Sequence, residues 1–317
     1  MAAVQHGIHV MINRRWEIIG APFDFGTTYK GSHKAPEAIR VAGLTRRLNH
    51  FTSLGMDVID GGDVEPTVCS SSKTIPVGMN EMMAYAPPLM ARLDASFMSG
   101  TVPLVLGGDH SISIPTVSSM VSHLHKRHNS SATVGLIWVD AHPDLETPGP
   151  DSTNDLNAMS AAHLLNLGVK ELRTLHGFAP KIRPEHLHYI GIRDVVQEEK
   201  QIIHDMNITS YTMSDIECLG IVKVCNEVFG YMNEKTDAFA LSFDIDAIDP
   251  MVAPAVDYPQ PGGLTLREAM VIMEYGNRSQ KLALFEMVEV NPTKDIDKIT
   301  SKTAVRLIHR IICGPVL

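Results

Sequence analysis

Four short segments each place acidic residues or a histidine directly after a predicted strand. The segments are GGDHS (107–111), DAHPD (140–144), DID (244–246) and EVNP (289–292). In open α/β sheets, ligands bind at the carboxyl ends of the strands. Alternate residues of an extended chain point to one side, so we expect Asp140, His142 and Asp144 to face a common point. The same spacing brings Asp244 and Asp246 together.

Four aspartates in one buried cluster predict bound cations. An unpaired buried charge costs several kcal/mol, whereas two divalent ions would balance the four carboxylates. His110 and His142 would serve as neutral ligands. The set offers oxygen and nitrogen but no thiolate, which favours Mn²⁺-like ions over structural zinc. Two such ions would bridge and deprotonate a water molecule, giving a hydroxide nucleophile at neutral pH.

Eight short apolar runs predict the strands that carry these segments. They cover 16–20, 56–60, 102–106, 134–139, 187–192, 208–212, 238–243 and 282–288. Most are rich in β-branched or aromatic residues and end in Gly or Asp. This pattern is typical of parallel strands buried on both faces.

Amphipathic stretches between the strands predict helices. They cover 35–49, 78–98, 112–128, 158–169, 196–205, 216–233, 265–276 and 298–311. One helix should begin at Thr265, because Glu268 three residues later completes a capping-box pattern. The alternation of strands and helices predicts an α/β fold, as either a three-layer sandwich or a barrel.

Composition and charge favour a globular protein and argue against nucleic-acid binding and a membrane span. The 317-residue chain is 44% hydrophobic and 20% charged, which suits a globular fold. Its formal net charge of −9 argues against binding to nucleic acid, which needs a basic face. No run of about 18 apolar residues is present, so we expect no membrane span.

No linker, composition break or internal repeat divides the chain. We therefore predict a flexible lead-in over 1–15, without a signal-peptide pattern, and a single catalytic domain over 16–317. The cysteines lack metal-type spacing, which fits a reducing compartment and a cytoplasmic location. They are Cys69, Cys218, Cys225 and Cys313.

The motifs together resemble the arginase/ureohydrolase family. The matching strings are GGDHS (107–111), WVDAHPD (138–144), SFDIDAIDP (242–250), GGLTLREA (262–269) and EVNP (289–292), with weaker matches at 19–26, 61–64 and 190–195. They lie in family order, cover nearly the whole chain and are closer to arginases than to agmatinases or formiminoglutamases. The resemblance implies a three-layer α-β-α sandwich with a mainly parallel eight-stranded sheet.

The resemblance also implies roles for the site residues. One Mn²⁺ would be bound by His110, Asp140, Asp144 and Asp244, and a second by Asp140, His142, Asp244 and Asp246. Asp140 and Asp244 would bridge the ions. Asp246 would also pass a proton to the leaving amine, and Glu289 would hold the substrate guanidinium. The implied reaction converts a guanidino substrate, with L-arginine as the leading candidate, to urea and an amine in a homotrimer or homohexamer.

The substrate half of the site departs from the arginase pattern. Asn157 stands where arginases have a proton-shuttling histidine, and an amide does not titrate near pH 7. We expect the nearby His163 to be an exposed helix residue rather than a replacement. The other departures are Glu146 for Asn, Thr153 for Ser, Val196 for a second aspartate, and Asp257-Tyr258 for Gly-Thr.

These departures leave three functional hypotheses open. The first is an arginase-type ureohydrolase. The second is a ureohydrolase of agmatine, guanidinobutyrate or formiminoglutamate; the additional acids Glu146 and Asp257 would suit a more cationic ligand, unless they are solvated loop residues. The third is a metal-binding pseudoenzyme that serves as an oligomeric or regulatory subunit, which the loss of the histidine at Asn157 would explain.

Overall fold

One sheet forms the centre of the protein. The structure, a computed structural model, describes residues 14–66, 74–128, 130–150 and 152–315. Over these ranges the sheet has eight strands in the order β2-β1-β3-β8-β7-β4-β5-β6, and every pairing is parallel. The strands are β1 Arg15–Ala21, β2 Asp57–Asp63, β3 Val102–Gly107, β4 Val134–Val139, β5 Leu187–Ile192, β6 Thr209–Thr212, β7 Ala238–Asp244 and β8 Leu282–Val288. All eight predicted strands are confirmed, and the open order excludes the barrel.

Burial differs between the inner strands and the edges. The six inner strands are almost entirely buried, as predicted. Strand β2 is mostly exposed and β6 is half-buried, so the prediction of burial on both faces is wrong for these two. Both are edge strands with a single neighbour. In β2, Asp60 and Asp63 bind Arg40, and such charged side chains discourage edge-to-edge pairing.

Helices cover both faces of the sheet and complete the predicted three-layer sandwich. They are α1 Ala35–Ile39, α2 Thr45–Ser53, α3 Met79–Met98, α4 Ser113–Arg127, α5 Ser160–Leu164, α6 Lys170–Arg173, α7 Gln197–Asp205, α8 Met213–Leu219, α9 Ile221–Lys235, α10 Leu266–Arg278 and α11 Ile299–Cys313. In β3, Leu104 and Leu106 face one hydrophobic core and Val105 faces the other, as strand geometry requires. Helices α1, α2 and α8–α11 pack on the first core, and α3–α7 pack on the second.

The predicted helices are present, with breaks that the hydrophobic pattern does not show. A π-helical turn with Gly43 at φ 137° separates α1 from α2, and Gly220 at φ 79° separates α8 from α9. The helix predicted over 158–169 is shorter and ends at Leu164. The capping box is confirmed: Thr265 Oγ1 accepts the Glu268 N–H, and Glu268 Oε2 accepts the Thr265 N–H.

The start of the chain is only partly described. Residues 1–13 of the predicted lead-in lie outside the described residues, as does Cys69. Arg14 is buried and donates to the carbonyls of Gly276 and Asn277, and β1 begins at Arg15. The division into a lead-in and one catalytic domain stays a prediction. Among the helices of the described ranges, none combines the length and the hydrophobicity that a membrane-spanning segment needs.

Candidate active site

The sheet order brings the four acidic segments to one edge. Strands β3, β8, β7 and β4 are consecutive neighbours. Because these strands are parallel, their carboxyl ends lie side by side. His110 follows β3, Glu289 follows β8, Asp244 ends β7 and Asp140 follows β4. Segments that are far apart in the sequence therefore meet at one site.

His110 is the centre of the first group of candidate metal ligands. Its Nδ1 atom lies 3.0 Å from Asp140 Oδ2, 3.1 Å from Asp144 Oδ2 and 3.3 Å from Asp244 Oδ2. The ring stacks on Trp138, and its Nε2 atom lies 2.7 Å from Ser242 Oγ. A contact of this kind at the second ring nitrogen orients a ligating histidine.

His142 is the centre of the second group. Its Nδ1 atom lies 3.0 Å from Asp246 Oδ2 and 3.5 Å from Asp140 Oδ1. Asp140 therefore presents one oxygen to each group, which is the arrangement of a bridging carboxylate. Asp244 lies in the first group; its Oδ1 atom accepts the Asp246 N–H over 2.7 Å, and its predicted contact with a second ion stays a prediction.

The first group contains buried polar atoms that lack hydrogen-bond partners, as expected of a site that binds a cation. His110 Nδ1 and Asp144 Oδ2 are buried and have no hydrogen-bond partner in the described part of the chain, although they are close together. Burial and the charge of Asp140 raise the pKa of Asp144 to about 8. Burial, followed by the charges of Asp246 and Asp140, raises the pKa of Asp244 well above its usual value. A positive charge at this position would relieve both penalties.

The histidines respond to the same concentration of negative charge. Burial alone would lower the pKa of His142, but the carboxylates of Asp246 and Asp140 outweigh it and raise the pKa to about 12. The carboxylates around His110 likewise overcome burial and raise its pKa well above the usual value. The site thus attracts positive charge strongly, and its oxygen and nitrogen donors suit two divalent ions.

Two site residues occupy strained backbone conformations. Asp144 has φ 50° and Glu289 has φ 63°, in the left-handed region that non-glycine residues rarely adopt. Such conformations cluster at functional sites because the surrounding structure must hold them. Gly108 shows a related constraint, since a Cβ atom there would lie 1.8 Å from the Phe23 carbonyl oxygen.

Glu289 lies beside the candidate metal groups with one oxygen free of protein contacts. Its Oε1 atom accepts the His110 N–H over 2.7 Å and the Asn157 side-chain amide over 3.1 Å. Its Oε2 atom is buried and has no hydrogen-bond partner among the described residues. The carboxylate is therefore oriented by two donors and can still accept hydrogen bonds from a ligand.

A cavity of about 200 Å³ opens onto both groups. All six residues proposed from the sequence as substrate-pocket candidates line it: Glu146, Thr153, Asn157, Val196, Asp257 and Tyr258. The cavity wall also includes Asp144, Asp246 and Glu289. Neither lysine nor arginine occurs among the described residues of the wall. The cavity is therefore suited to a cationic ligand.

The two additional acids, Glu146 and Asp257, differ in their contacts. Glu146 Oε2 accepts three hydrogen bonds within its own loop, from Ser152 Oγ, Thr153 N and Thr153 Oγ1. Asp257 uses only Oδ1, which accepts from Asn291 Nδ2 and Lys294 Nζ. Glu146 thus orders its loop, whereas Asp257 keeps a buried oxygen, Oδ2, that has no partner in the described residues.

The last two candidates lie near the rim of the cavity. Val196 is 45% exposed and precedes α7. Tyr258 donates its hydroxyl to Asp155 Oδ2 over 3.1 Å, and its ring packs edge-on against Tyr29. These contacts tie the loop after β7 to the loops after β1 and β4.

His163 differs from its prediction. It is fully buried rather than exposed. Its ring lies between its own helix and the turn that follows, and it forms hydrogen bonds to both. Nδ1 donates to the Met159 carbonyl over 2.8 Å, and Nε2 accepts the Val169 N–H over 3.1 Å. Burial lowers the pKa of His163 to about 4, so the ring is neutral. It is absent from the cavity wall and has no free nitrogen to carry protons.

The cavity also contains two acids that the sequence reasoning missed. Asp194 Oδ2 lies 3.6 Å from His142 Nε2 and accepts from the side chain of Gln260. Its position just after β5 was the available signal, since it matches the other strand-end acids. Glu199 accepts the backbone N–H groups of Leu145 and Val196, and burial raises its pKa to about 7. No spacing in the sequence indicates that role.

Comparisons with known proteins agree with the site. The model of the arginase family matches residues 14–314. The arginase of Bacillus caldovelox is 36% identical over 297 residues, which cover 92% of this chain and 95% of that protein. The solved native structure of Bacillus caldovelox arginase at pH 5.6 superimposes with a TM-score of 0.87 at 34% identity, covering 96% of this chain and all (100%) of that chain. The formimidoylglutamase of Bacillus subtilis is less similar, with a TM-score of 0.76, 25% identity and coverage of 95% and 87%.

Proposed function

Since the chain belongs to the arginase family, whose members are hydrolases acting on guanidino compounds, we propose that it is a dimanganese ureohydrolase that converts L-arginine to urea and an amine. The observation that carries this proposal is the position of Glu289 beside the two ligand groups. A carboxylate with one free oxygen lies where a guanidinium could be held next to the ions. Of the known proteins compared, the arginases are more similar than the formimidoylglutamase.

The proposal assigns two Mn²⁺ ions per chain. His110, Asp140, Asp144 and Asp244 would hold one ion, and Asp140, His142, Asp244 and Asp246 would hold the other. When bound, the ions lower the pKa of a water molecule so that a hydroxide is available near neutral pH. The oxygen-rich donor set and the absence of thiolates from it support manganese.

Glu289 would position the substrate. A guanidinium carbon is a poor electrophile because its positive charge is delocalised, so the reaction depends on holding the group close to the nucleophile. The Glu289 carboxylate is oriented by the His110 N–H and by Asn157. Oε2 is then left to accept N–H groups of the guanidinium.

Asp246 would transfer the proton that the leaving amine requires. Its Oδ1 atom accepts the Ala141 N–H over 3.1 Å, and Oδ2 faces His142. Burial and the charge of Asp140 raise the pKa of Asp246. A raised pKa suits a carboxylate that must take up a proton and then release it.

A second candidate substrate is a guanidino compound without a carboxylate, such as agmatine. The specific observation is the lining of the cavity, whose described residues provide several acids but no lysine or arginine to pair with an α-carboxylate. For L-arginine, neutral donors would have to bind that group, and the Thr153 hydroxyl could do so only by giving up its hydrogen bond to Glu146. Urea release measured with L-arginine, agmatine and guanidinobutyrate in parallel distinguishes these substrates, and formamide release would reveal formiminoglutamate.

The proposal extends to assembly and location. We infer a homo-oligomer, a trimer or hexamer, in the cytoplasm. Light scattering coupled to size-exclusion chromatography tests the assembly, because a monomeric mass for the Mn²⁺-loaded protein would contradict it.

A further inference from the structure

We propose that Asp257 is a second substrate-binding carboxylate, which holds the guanidinium together with Glu289. This inference rests on the proposed function, because it requires a guanidino substrate. It goes further by assigning a binding role to a residue that stands where the arginase pattern has glycine. The argument uses the contacts of Asp257, the charge around it and the hydrogen-bonding needs of a guanidinium.

Asp257 is held rigidly from one side only. The residue is 7% exposed, and its Oδ1 atom lies 2.7 Å from both Asn291 Nδ2 and Lys294 Nζ. Lys294 is itself fixed by a hydrogen bond to the Val256 carbonyl over 3.2 Å. These contacts anchor the carboxylate and leave Oδ2 as its free atom.

The free oxygen, Asp257 Oδ2, is available to a ligand in the cavity. Asp257 Oδ2 is buried and lacks a hydrogen-bond partner in the described ranges, and the residue lines the same cavity as Glu289. A buried polar atom without a partner is costly, so a native structure normally provides one. Here the cavity is the side from which a donor can come.

Asp257 and Glu289 line the same cavity, and Asn291 links their two segments of the chain. Asn291 connects them, because it donates to Asp257 and lies two residues after Glu289. The Asn291 N–H also donates to the Ala255 carbonyl over 2.8 Å, which holds the segment before Asp257 against the segment that follows Glu289. Two acceptor atoms, Glu289 Oε2 and Asp257 Oδ2, therefore face one cavity.

A guanidinium matches this pair of acceptors. A substituted guanidinium carries five N–H donors in one plane, more than the single free oxygen of Glu289 can accept. Charge also balances: the guanidinium and Lys294 are positive, and Glu289 and Asp257 are negative. Glu146 matches this role less well, because it is only half-buried and has no oxygen among the buried polar atoms that lack a partner in the described residues.

The test uses Asp257→Asn in the Mn²⁺-loaded protein. The oxygen of the new amide would be retained by Lys294 and Asn291, which turns its NH₂ group toward the cavity and against a cation. We expect guanidinium chloride to bind about 10- to 100-fold more weakly by calorimetry, because a charged hydrogen bond is lost. The KM values for L-arginine and agmatine should rise by the same factor, since both substrates carry the guanidinium.

Controls separate this effect from a loss of structure. Glu274→Gln removes an acid of α10 that lies outside the cavity and is paired with Arg278 of α10 and Arg310 of α11, so it should leave binding unchanged. Manganese content and melting temperature are measured for each variant. If Asp257→Asn loses metal or stability, guanidinium binding is measured with Asp257→Gly instead, because that variant removes the carboxylate without adding an NH₂ group.

Each outcome has a definite meaning. Equal guanidinium affinity in the wild type and in a metal-loaded Asp257 variant overturns the inference and leaves the proposed function standing. A KM increase for L-arginine alone also overturns it, since Asp257 would then bind the α-amino group. A wild-type protein that neither binds guanidinium nor releases urea overturns the proposed function, and the inference with it.

Discussion

The side-chain amide of Asn157 donates to Glu289 Oε1 over 3.1 Å. Asn157 thus contacts the carboxylate proposed to hold the substrate, at the position where the arginase pattern has a proton-shuttling histidine. Its own Oδ1 atom is buried and finds no partner among the described residues. The contact indicates that Asn157 orients Glu289, which an amide can do without titrating.

The first prediction concerns that contact. Asn157→Ala removes one of the two donors that orient Glu289, so we expect KM to rise by about 10-fold with a smaller change in kcat. Asn157→His supplies a ring N–H in the same place and should keep KM near the wild-type value. Steady-state urea release at several substrate concentrations measures both. An unchanged KM in Asn157→Ala would show that Glu289 does not need this donor.

The second prediction concerns the carboxylates proposed to hold the ions. Asp140→Asn removes the residue that presents one oxygen to each ligand group, so both metal sites should be lost. We expect kcat/KM to fall by about 1,000-fold or more. Asp237→Asn, at the amino end of β7, is the matched control and should keep its metal. Full activity in Asp140→Asn would contradict the dimetal assignment.

Metal removal provides the third prediction. Chelation would leave the carboxylates around His110 without counter-charge, and a ligand that binds only the folded state adds to its stability. The melting temperature should therefore fall by about 5 °C or more when the metal is removed, and should recover when Mn²⁺ is added back. Differential scanning calorimetry, with the metal content determined in each sample, makes the comparison. No shift after verified removal would show that the cluster is stable without cations.

The fourth prediction follows from the buried His163. Its pKa is lowered to about 4 in the folded protein, whereas the unfolded chain has the usual value of about 6.5. The unfolded state therefore binds the proton first, so stability is intact above about pH 6.5 and decreases as the pH falls toward 4. His163→Gln can keep both hydrogen bonds without titrating.

We therefore expect wild type to lose about 3 kcal/mol more unfolding free energy than His163→Gln between pH 7 and pH 4. Urea denaturation of both proteins across this range measures the difference. Comparing the two cancels the contributions of the other histidines and of the metal ligands. If the unfolding free energies of the two proteins changed equally with pH, the result would mean that His163 takes up a proton in the folded state.

Local patterns were sufficient to predict most of the fold. The six inner strands are mainly apolar runs that hydrophobicity identifies without tertiary information, and the Thr265 capping box depends on residues three apart. Edge exposure could not be predicted in this way. Strand β2 is exposed because it has only one neighbour, and strand order is set by how the whole chain packs.

In the candidate site, too, local spacing could be predicted from the sequence, whereas contacts between loops could not. Asp140, His142 and Asp144 have a spacing that strand geometry converts directly into a cluster. The partners of Asn157 and Asp257 depend on loops from different strands, so the sequence indicated a changed pocket without showing the new contacts. His163 was misjudged because its burial depends on the turn that follows its helix.

The central claim is that this chain uses a dimanganese site to hydrolyse a guanidino substrate. The most direct test measures urea release from L-arginine by Mn²⁺-loaded protein, with manganese counted per chain and agmatine and guanidinobutyrate assayed beside it. We predict two manganese ions per chain and steady urea release from L-arginine. Two bound ions without urea from any of these compounds would contradict the account and favour a metal-binding pseudoenzyme.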